Sequence, residues 1–170
     1  MKKIDISSKS FPNTFALVDD CDFKHLIKYN WAAVVSHGNL YALRRKLKSD
    51  KGARIQRSIS MHCHLIQTRK GFEIDHRDGN GLNNQRSNLR ACTHQQNMRN
   101  MRRPSNNTSG YKGVSKCPES STWRAYITVN RRQKHLGCFR LKIEAAHAYD
   151  SAARKYYGEF ANLNFDKKRK

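Results

Sequence analysis

The residues best suited to chemistry concentrate between positions 59 and 100. Asp75 and His76 are adjacent, Asp78-Gly79-Asn80 follow as turn residues, and Asn97 lies downstream. A carboxylate and an amide oxygen are hard donors that leave most of a cation's shell open, which suits Mg²⁺, with Mn²⁺ as an alternative, better than zinc. A histidine titrates near neutral pH and can accept a proton from water. Cutting a phosphodiester needs an activated water, a cation on the phosphate and neutralisation of the leaving oxygen. Asp75 and Asn97 are therefore expected to hold the metal, with His76 as general base. Neighbours in a strand point to opposite faces, so one of residues 75 and 76 must sit where the strand breaks into the turn. A competing zinc site would use His62, Cys63, His64 and Cys92. On a strand the two histidines would share a face and Cys63 would face away. His94 reads as a surface residue of a helix.

These side chains need a scaffold. Phe72 and Ile74 alternate with polar neighbours, predicting a strand that ends at Asp75-His76. Thr93 with Gln96 three residues later matches a capping box, which places Asn97 in the first turns of a helix. Upstream, Phe15–Val18 reads as a strand, and Asp19 or Asp20 caps a helix carrying Phe23, Leu26 and Ile27. Trp31–Val35 reads as a strand, turns at His37-Gly38-Asn39 and returns through Leu40–Leu43. Arg44, Arg45, Lys46 and Lys48 follow, either as phosphate contacts or as a solvated edge that resists aggregation.

Residues 101–109 have linker composition, and Arg102 and Arg103 could track a phosphate backbone. Beyond them, strands are predicted at Tyr111–Lys116, Trp123–Val129 and Gln133–Phe139. A helix is expected over Lys142–Tyr157, with Ile143, Ala146, Tyr149 and Ala153 on one stripe and Gly158 as C-cap. One sheet face would pack on this helix. The other would carry Lys112, Arg124 and Tyr126 outward, with Arg131, Arg132 and Lys134 near phosphate. A sheet of this kind can enter the major groove.

Two resemblances sharpen this reading. The run Met61-His62, Lys70-Gly71, Ile74-Asp75-His76-Arg77-Asp78-Gly79-Asn80, Asn83-Asn84, Ser87-Asn88-Leu89-Arg90, Thr93 and Gln96-Asn97 resembles the HNH endonucleases of phage and intron homing systems. The resemblance implies a ββα-metal finger, with His76 as general base and Asp75 and Asn97 as metal ligands. It also implies that Asn88 braces the loop holding the base, and it sets His62 on an upstream histidine without a role. Cys63-His64 stands where that family often has Arg-Leu. Residues 110–165 resemble the plant ethylene-response-factor (apetala-two type) DNA-binding domain. The match runs through Tyr111-Lys112-Gly113-Val114, Trp123-Arg124-Ala125, Leu136-Gly137-Cys138-Phe139, Glu144–Asp150 and Asn162-Leu163-Asn164-Phe165. Ser115 and Cys117 replace the arginines usual in plant members, and His135 a tryptophan, so the plant target sequence is not implied.

Composition agrees. The 170 residues carry 34 Lys+Arg against 13 Asp+Glu, a formal net charge of +21. Segments 1–58, 59–100 and 101–170 contribute +7, +3 and +11, so the least basic stretch holds the expected metal ligands. Such an excess calls for a polyanion, with nucleic acid ahead of a membrane surface. No apolar run approaches the roughly 20 residues that span a bilayer, and no signal peptide is expected. Five scattered cysteines make a poor disulfide framework, so a cytoplasmic chain with reduced thiols is expected, and the resemblance implies a bacterial or phage-infected cell.

The expected fold class is α+β. The expected divisions are an N-terminal region (1–58), the HNH finger (59–100), a basic linker (101–109), a three-stranded sheet with one helix (110–165) and a basic tail (166–170). The expected function is a monomeric, homing-type endonuclease acting on double-stranded DNA and nicking one strand. The alternative is a non-catalytic DNA-binding regulator with a relic finger. An RNA-binding reading rests on Tyr126 alone.

Overall fold

A computed structural model describes residues 1–36, 38–45, 58–104 and 106–166. The expectations for His37, Lys46, Lys48 and the tail Lys167–Lys170 lie outside the described residues. Helices and small antiparallel sheets alternate, giving the α+β class, and the chain divides into two units, Met1–His94 and Gln95–Lys170. Among the described residues no helix is long and apolar enough to cross a membrane.

In the first unit, β1 (Lys2–Asp5) pairs antiparallel with β2 (Phe15–Val18), and Ile4 stands opposite Ala16. The lysine-rich start hides the strand β1 from sequence reading, yet Ile4 is buried with Ile6 beneath it. Helix α1 spans Asp20–Leu26 and buries Leu26, while Ile27 is exposed. The hairpin β3 (Ala32–Ser36) and β4 (Asn39–Arg45) is extended by β5 (Ser58–Ser60). Their inner faces supply Ala33 and Ala42 to a core completed by Val18, Leu26, Trp31 and Met61. The Trp31 indole N–H donates to the Leu26 carbonyl at 2.8 Å, satisfying its polar end inside that core.

Residues 61–65 depart from the strand expected there. They form a short helix, α2 (Met61–Leu65). Successive helical residues rotate by about 100°, so Met61 fills the core while His62 and His64 diverge instead of sharing a face. The strands β6 (Phe72–His76) and β7 (Leu89–Thr93) then pair antiparallel. Helix α3 (His94–Asn100) follows β7 without a break.

The second unit contains β8 (Val114–Lys116), β9 (Trp123–Val129), β10 (Arg132–Phe139) and α4 (Lys142–Tyr157). Strand β9 is central. Asn130 and Arg131 both take positive φ in the tight turn to β10. The small residues of α4 let it lie close on the sheet. Ala145, Ala146, Ala153 and Tyr149 are buried against Val114, Ala125 and Ile127. Ile143, expected on that stripe, is 44% exposed. The first strand begins at Val114 because Gly113 has φ +73°, and a Cβ there would meet the Tyr149 ring at 2.0 Å. Asp150 is buried and accepts from the backbone of Asn164 and Phe165, which fixes the C-terminal segment beside α4.

Candidate active site

Asp75 and His76 are the last two residues of β6, and each is only 5% exposed. Register places Asp75 opposite Arg90 and His76 opposite Leu89, so the pair faces opposite sides of the hairpin. The Arg90 Nε donates to Asp75 Oδ2 at 2.8 Å, and Nη2 lies 2.7 Å from the same oxygen. This buried ion pair was not expected, although Arg90 lies within the motif. Its signal is the cross-strand register, which the sequence leaves open until the intervening turn is known.

His76 occupies a different environment. Its ring lies 4.9 Å from that of His62, edge-on, and 5.9 Å from that of Tyr41. Its Nε2 lies 3.4 Å from Oδ1 of the fully buried Asn84. Burial lowers the His76 pKa from its ordinary value, and Asn84, Asp78 and Asp75 partly offset this. Burial, with His76 beside it, pushes His62 down to about 3. Both rings are thus held neutral at physiological pH.

The turn between β6 and β7 is fixed from within. Asn88 Oδ1 accepts from the Asp78 backbone, and its Nδ2 donates to Asp78 Oδ1 and to the Asn83 carbonyl. The Arg77 amide donates to the Asn88 carbonyl at 2.9 Å. Asn88 therefore ties together both ends of the loop that follows His76. It does not contact the His76 ring in any of these bonds.

The N-terminal elements hold the same loop from outside. Leu17 in β2 donates to the Leu82 carbonyl and accepts from the Asn84 amide, both at 2.8 Å. Asp19 stands at the N-cap of α1 as expected, but its carboxylate bonds elsewhere, accepting from Gln85 Nε2 and the Arg86 amide. Asp22 receives Arg86 through two parallel bonds of 2.8 Å.

The competing zinc cluster does not assemble among the described residues. His62 turns to His76, whereas His64 Nε2 meets His25 Nε2 at 2.9 Å and its Nδ1 lies 3.2 Å from Arg44. Cys63 is exposed and Cys92 buried. Among the described residues no three His, Cys, Asp or Glu side chains gather as a metal shell. The expected oxygen set is a carboxylate from Asp75, at the end of β6, and an amide oxygen from Asn97, in α3, donors that belong to different units. That donor chemistry fits a divalent cation that keeps most of its waters. The Arg90 charge on one Asp75 oxygen weakens the set's attraction for a cation. His94 is a surface residue whose Nδ1 reaches Glu73 at 2.8 Å.

In the second unit the outer sheet face carries Ser115, Arg124 and Cys138 in one row, with Tyr126 opposite His135 in the next. Arg124 is exposed. Lys134 pairs with Ile127, whose side chain belongs to the core, and its Nζ lies 5.2 Å from the Tyr156 ring of α4. It therefore stands on the helix side, apart from Arg124 and Tyr126. Arg131 and Arg132 lie exposed at the β9–β10 turn. Lys112 Nζ donates to the carbonyls of Arg99 and Met101, and Arg103 donates to the carbonyl of Gly110. Arg102 is exposed. The expected DNA-contacting residues thus separate into an outer face, a hairpin tip and a basic segment bonded into its own backbone.

Residues 69–99 match the family model described as HNH endonuclease. Over 94 residues the chain is 39% identical to Protein 3.8 of Escherichia phage T7, covering 55% of this chain and 77% of that protein. The chain belongs to the HNH endonuclease family. An uncharacterized HNH endonuclease of Acanthamoeba polyphaga mimivirus is 37% identical over 91 residues, covering 54% of this chain and 46% of that protein. A different likeness concerns the dehydration-responsive element-binding protein 2A of Oryza sativa, 40% identical over 67 residues and covering 36% of this chain and 23% of that one. The chain spans less than half the length of these last two relatives.

Proposed function

We propose that this chain is a homing-type DNA endonuclease that nicks one strand of duplex DNA, with His76 as general base. The observation that carries the reading is the buried Asp75-His76 pair at the end of β6, inside the segment matching the HNH endonuclease model. Burial lowers the His76 pKa, so the imidazole is in its proton-accepting form at neutral pH. Asn88 fastens the loop behind it, limiting the drift of the ring relative to a bound phosphate. Asp75 and Asn97 would hold Mg²⁺ or Mn²⁺, which when bound supplies a Lewis acid for the phosphate and the leaving oxygen. Arg124 and Tyr126 on the outer sheet face, with Arg131 and Arg132 at the hairpin tip, would dock the duplex. Arg102 and Arg103 would follow its backbone, while Lys112 and Lys134 would support that surface from within.

The test is conversion of supercoiled plasmid or phage DNA to the open circle. Mg²⁺ or Mn²⁺ should support nicking and EDTA should stop it, whereas rescue by Zn²⁺ alone would refute the oxygen-ligand assignment. The Asp75–Arg90 ion pair favours a second reading, a DNA-binding regulator with a relic finger, because the carboxylate already has a cationic partner. Tight duplex binding without nicking under any divalent ion would select that reading.

A further inference from the structure

We infer that Cys117 and Cys138 form a thiol–disulfide site on the outer sheet face of the second unit, which peroxide closes and which, once closed, loosens that face's hold on duplex DNA. The second half of the inference rests on the docking role proposed for Arg124 and Tyr126. The first half stands without it.

The sheet brings the two thiols together. Strands β8 and β10 flank β9. Cys117 follows β8 directly and extends its pairing, since its amide donates to the Thr122 carbonyl at 3.0 Å. Alternation from Ser115 puts the Cys117 side chain on the outer face. Cys138 stands opposite Arg124 on the same face. The two Sγ atoms lie 3.8 Å apart, and both cysteines are free. Cys138 is exposed and Cys117 half-buried, so a small oxidant reaches them. A disulfide needs about 2.05 Å between its sulfurs, so they must close by roughly 1.8 Å. Both thiols stand where the ladder ends or breaks. Cys117 leads into the turn at Pro118, and β10 shifts register between His135 and Gly137, just before Cys138.

The surroundings assign the roles. A hydrogen bond from the Thr122 side chain, then those from Cys138 and Ser120 and the charge of Arg124, hold the Cys117 thiol below its ordinary pKa. The Cys117 thiolate attacks one oxygen of the peroxide. The O–O bond breaks, Cys117 becomes a sulfenic acid, and the departing hydroxide takes up the proton that Cys117 had released, giving water. His135 Nε2 lies 3.6 Å from Cys138 Sγ, placed to take the Cys138 proton as that sulfur attacks Cys117. The S–S bond forms, the S–O bond breaks, and the hydroxide leaves with that proton as a second water. Two thiols and one peroxide thus yield one disulfide and two waters. A low-molecular-weight thiol reverses the step by exchange. The bridge joins the two outer strands across the central one beside Arg124, and closing it tightens the curvature of the face from which Arg124 reaches out.

The test uses the full-length chain, reduced, freed of reductant and treated with hydrogen peroxide in EDTA. Peptide mapping by mass should find Cys117 joined to Cys138 in a chain that still migrates as a monomer, and dithiothreitol should undo the link. In Cys138→Ser, dimedone should trap Cys117 as its sulfenic acid. Affinity for a duplex oligonucleotide, read by fluorescence anisotropy, should fall about tenfold on oxidation, the size of one lost charge-assisted contact, and return on reduction. Cys117→Ser and Cys138→Ser should bind as the reduced wild type does and keep that affinity in peroxide. Absence of the link between 117 and 138 would overturn the inference, as would equal affinity of the oxidised and reduced chains, or an equal loss in the two variants. If the reduced chain holds no duplex, the docking reading fails and takes the affinity claim with it, yet the linked peptides still decide the thiol site.

Discussion

Replacing Arg90 with methionine removes the cation from Asp75 while nearly preserving volume, and both side chains are about 95% buried. The pair has two nitrogens on one carboxylate oxygen at 2.7 and 2.8 Å. Breaking one partner of such a pair costs about 3–5 kcal/mol, because the remaining charge loses its buried counter-charge. With a urea slope of about 2 kcal/mol/M, the unfolding midpoint should fall by about 2 M. The double variant Asp75→Leu with Arg90→Met removes both charges and should recover most of the loss. The chain has two tryptophans, Trp31 in the first unit and Trp123 in the second. A Trp123→Phe background therefore makes fluorescence report the first unit alone. A loss under about 1 kcal/mol in the single variant, or no recovery in the double, would refute the account of a load-carrying buried pair.

Other outcomes follow from the same contacts. His62 and His76 have lowered pKa values in the folded chain, while unfolded histidine sits near 6.5. Below that pH the unfolded chain binds protons first, so stability is complete above about 6.5 and declines as pH falls towards the folded values, about 3 for His62. For His62 the slope should approach about 1.4 kcal/mol per pH unit, and His62→Phe should flatten the decline in thermal melts between pH 7 and 4.5. In the second unit, Gly113→Ala sets a Cβ against Tyr149 at 2.0 Å and against positive φ. It should cost more than about 2 kcal/mol in melts followed by Trp123 fluorescence, with the Trp31 signal of the first unit unmoved.

Much of the scaffold was legible because local pattern and tertiary demand agree. The alternation at Phe72 and Ile74 gives β6, and the apolar period with Gly158 gives α4 and its C-cap. Residues 61–65 misled because a single buried Met61 does not define a period, and only the core around it selects a helix over a strand. β1 was obscured by its lysines: Lys3 points away from the face that Ile4 buries, and Lys2, on the same face as Ile4, stays exposed with its Nζ over the Phe23 ring. At the site, Asp75 and His76 stood out by residue type, and the family resemblance singled out Asn88. Their partners were not. Arg90 depends on strand register, and Asn84 and His62 depend on how distant segments meet around the ring. Lys134 shows the same limit in the second unit, since its basic character is plain but its face is set by pairing with Ile127.

The most direct test of the central claim is a paired measurement on wild type and His76→Ala. Nicking of supercoiled DNA in Mg²⁺ and affinity for the same duplex would be followed side by side. The account predicts that the variant binds within about twofold of wild type and loses nicking by at least about 100-fold, as expected for removal of a general base. Nicking by His76→Ala at the wild-type rate would contradict it.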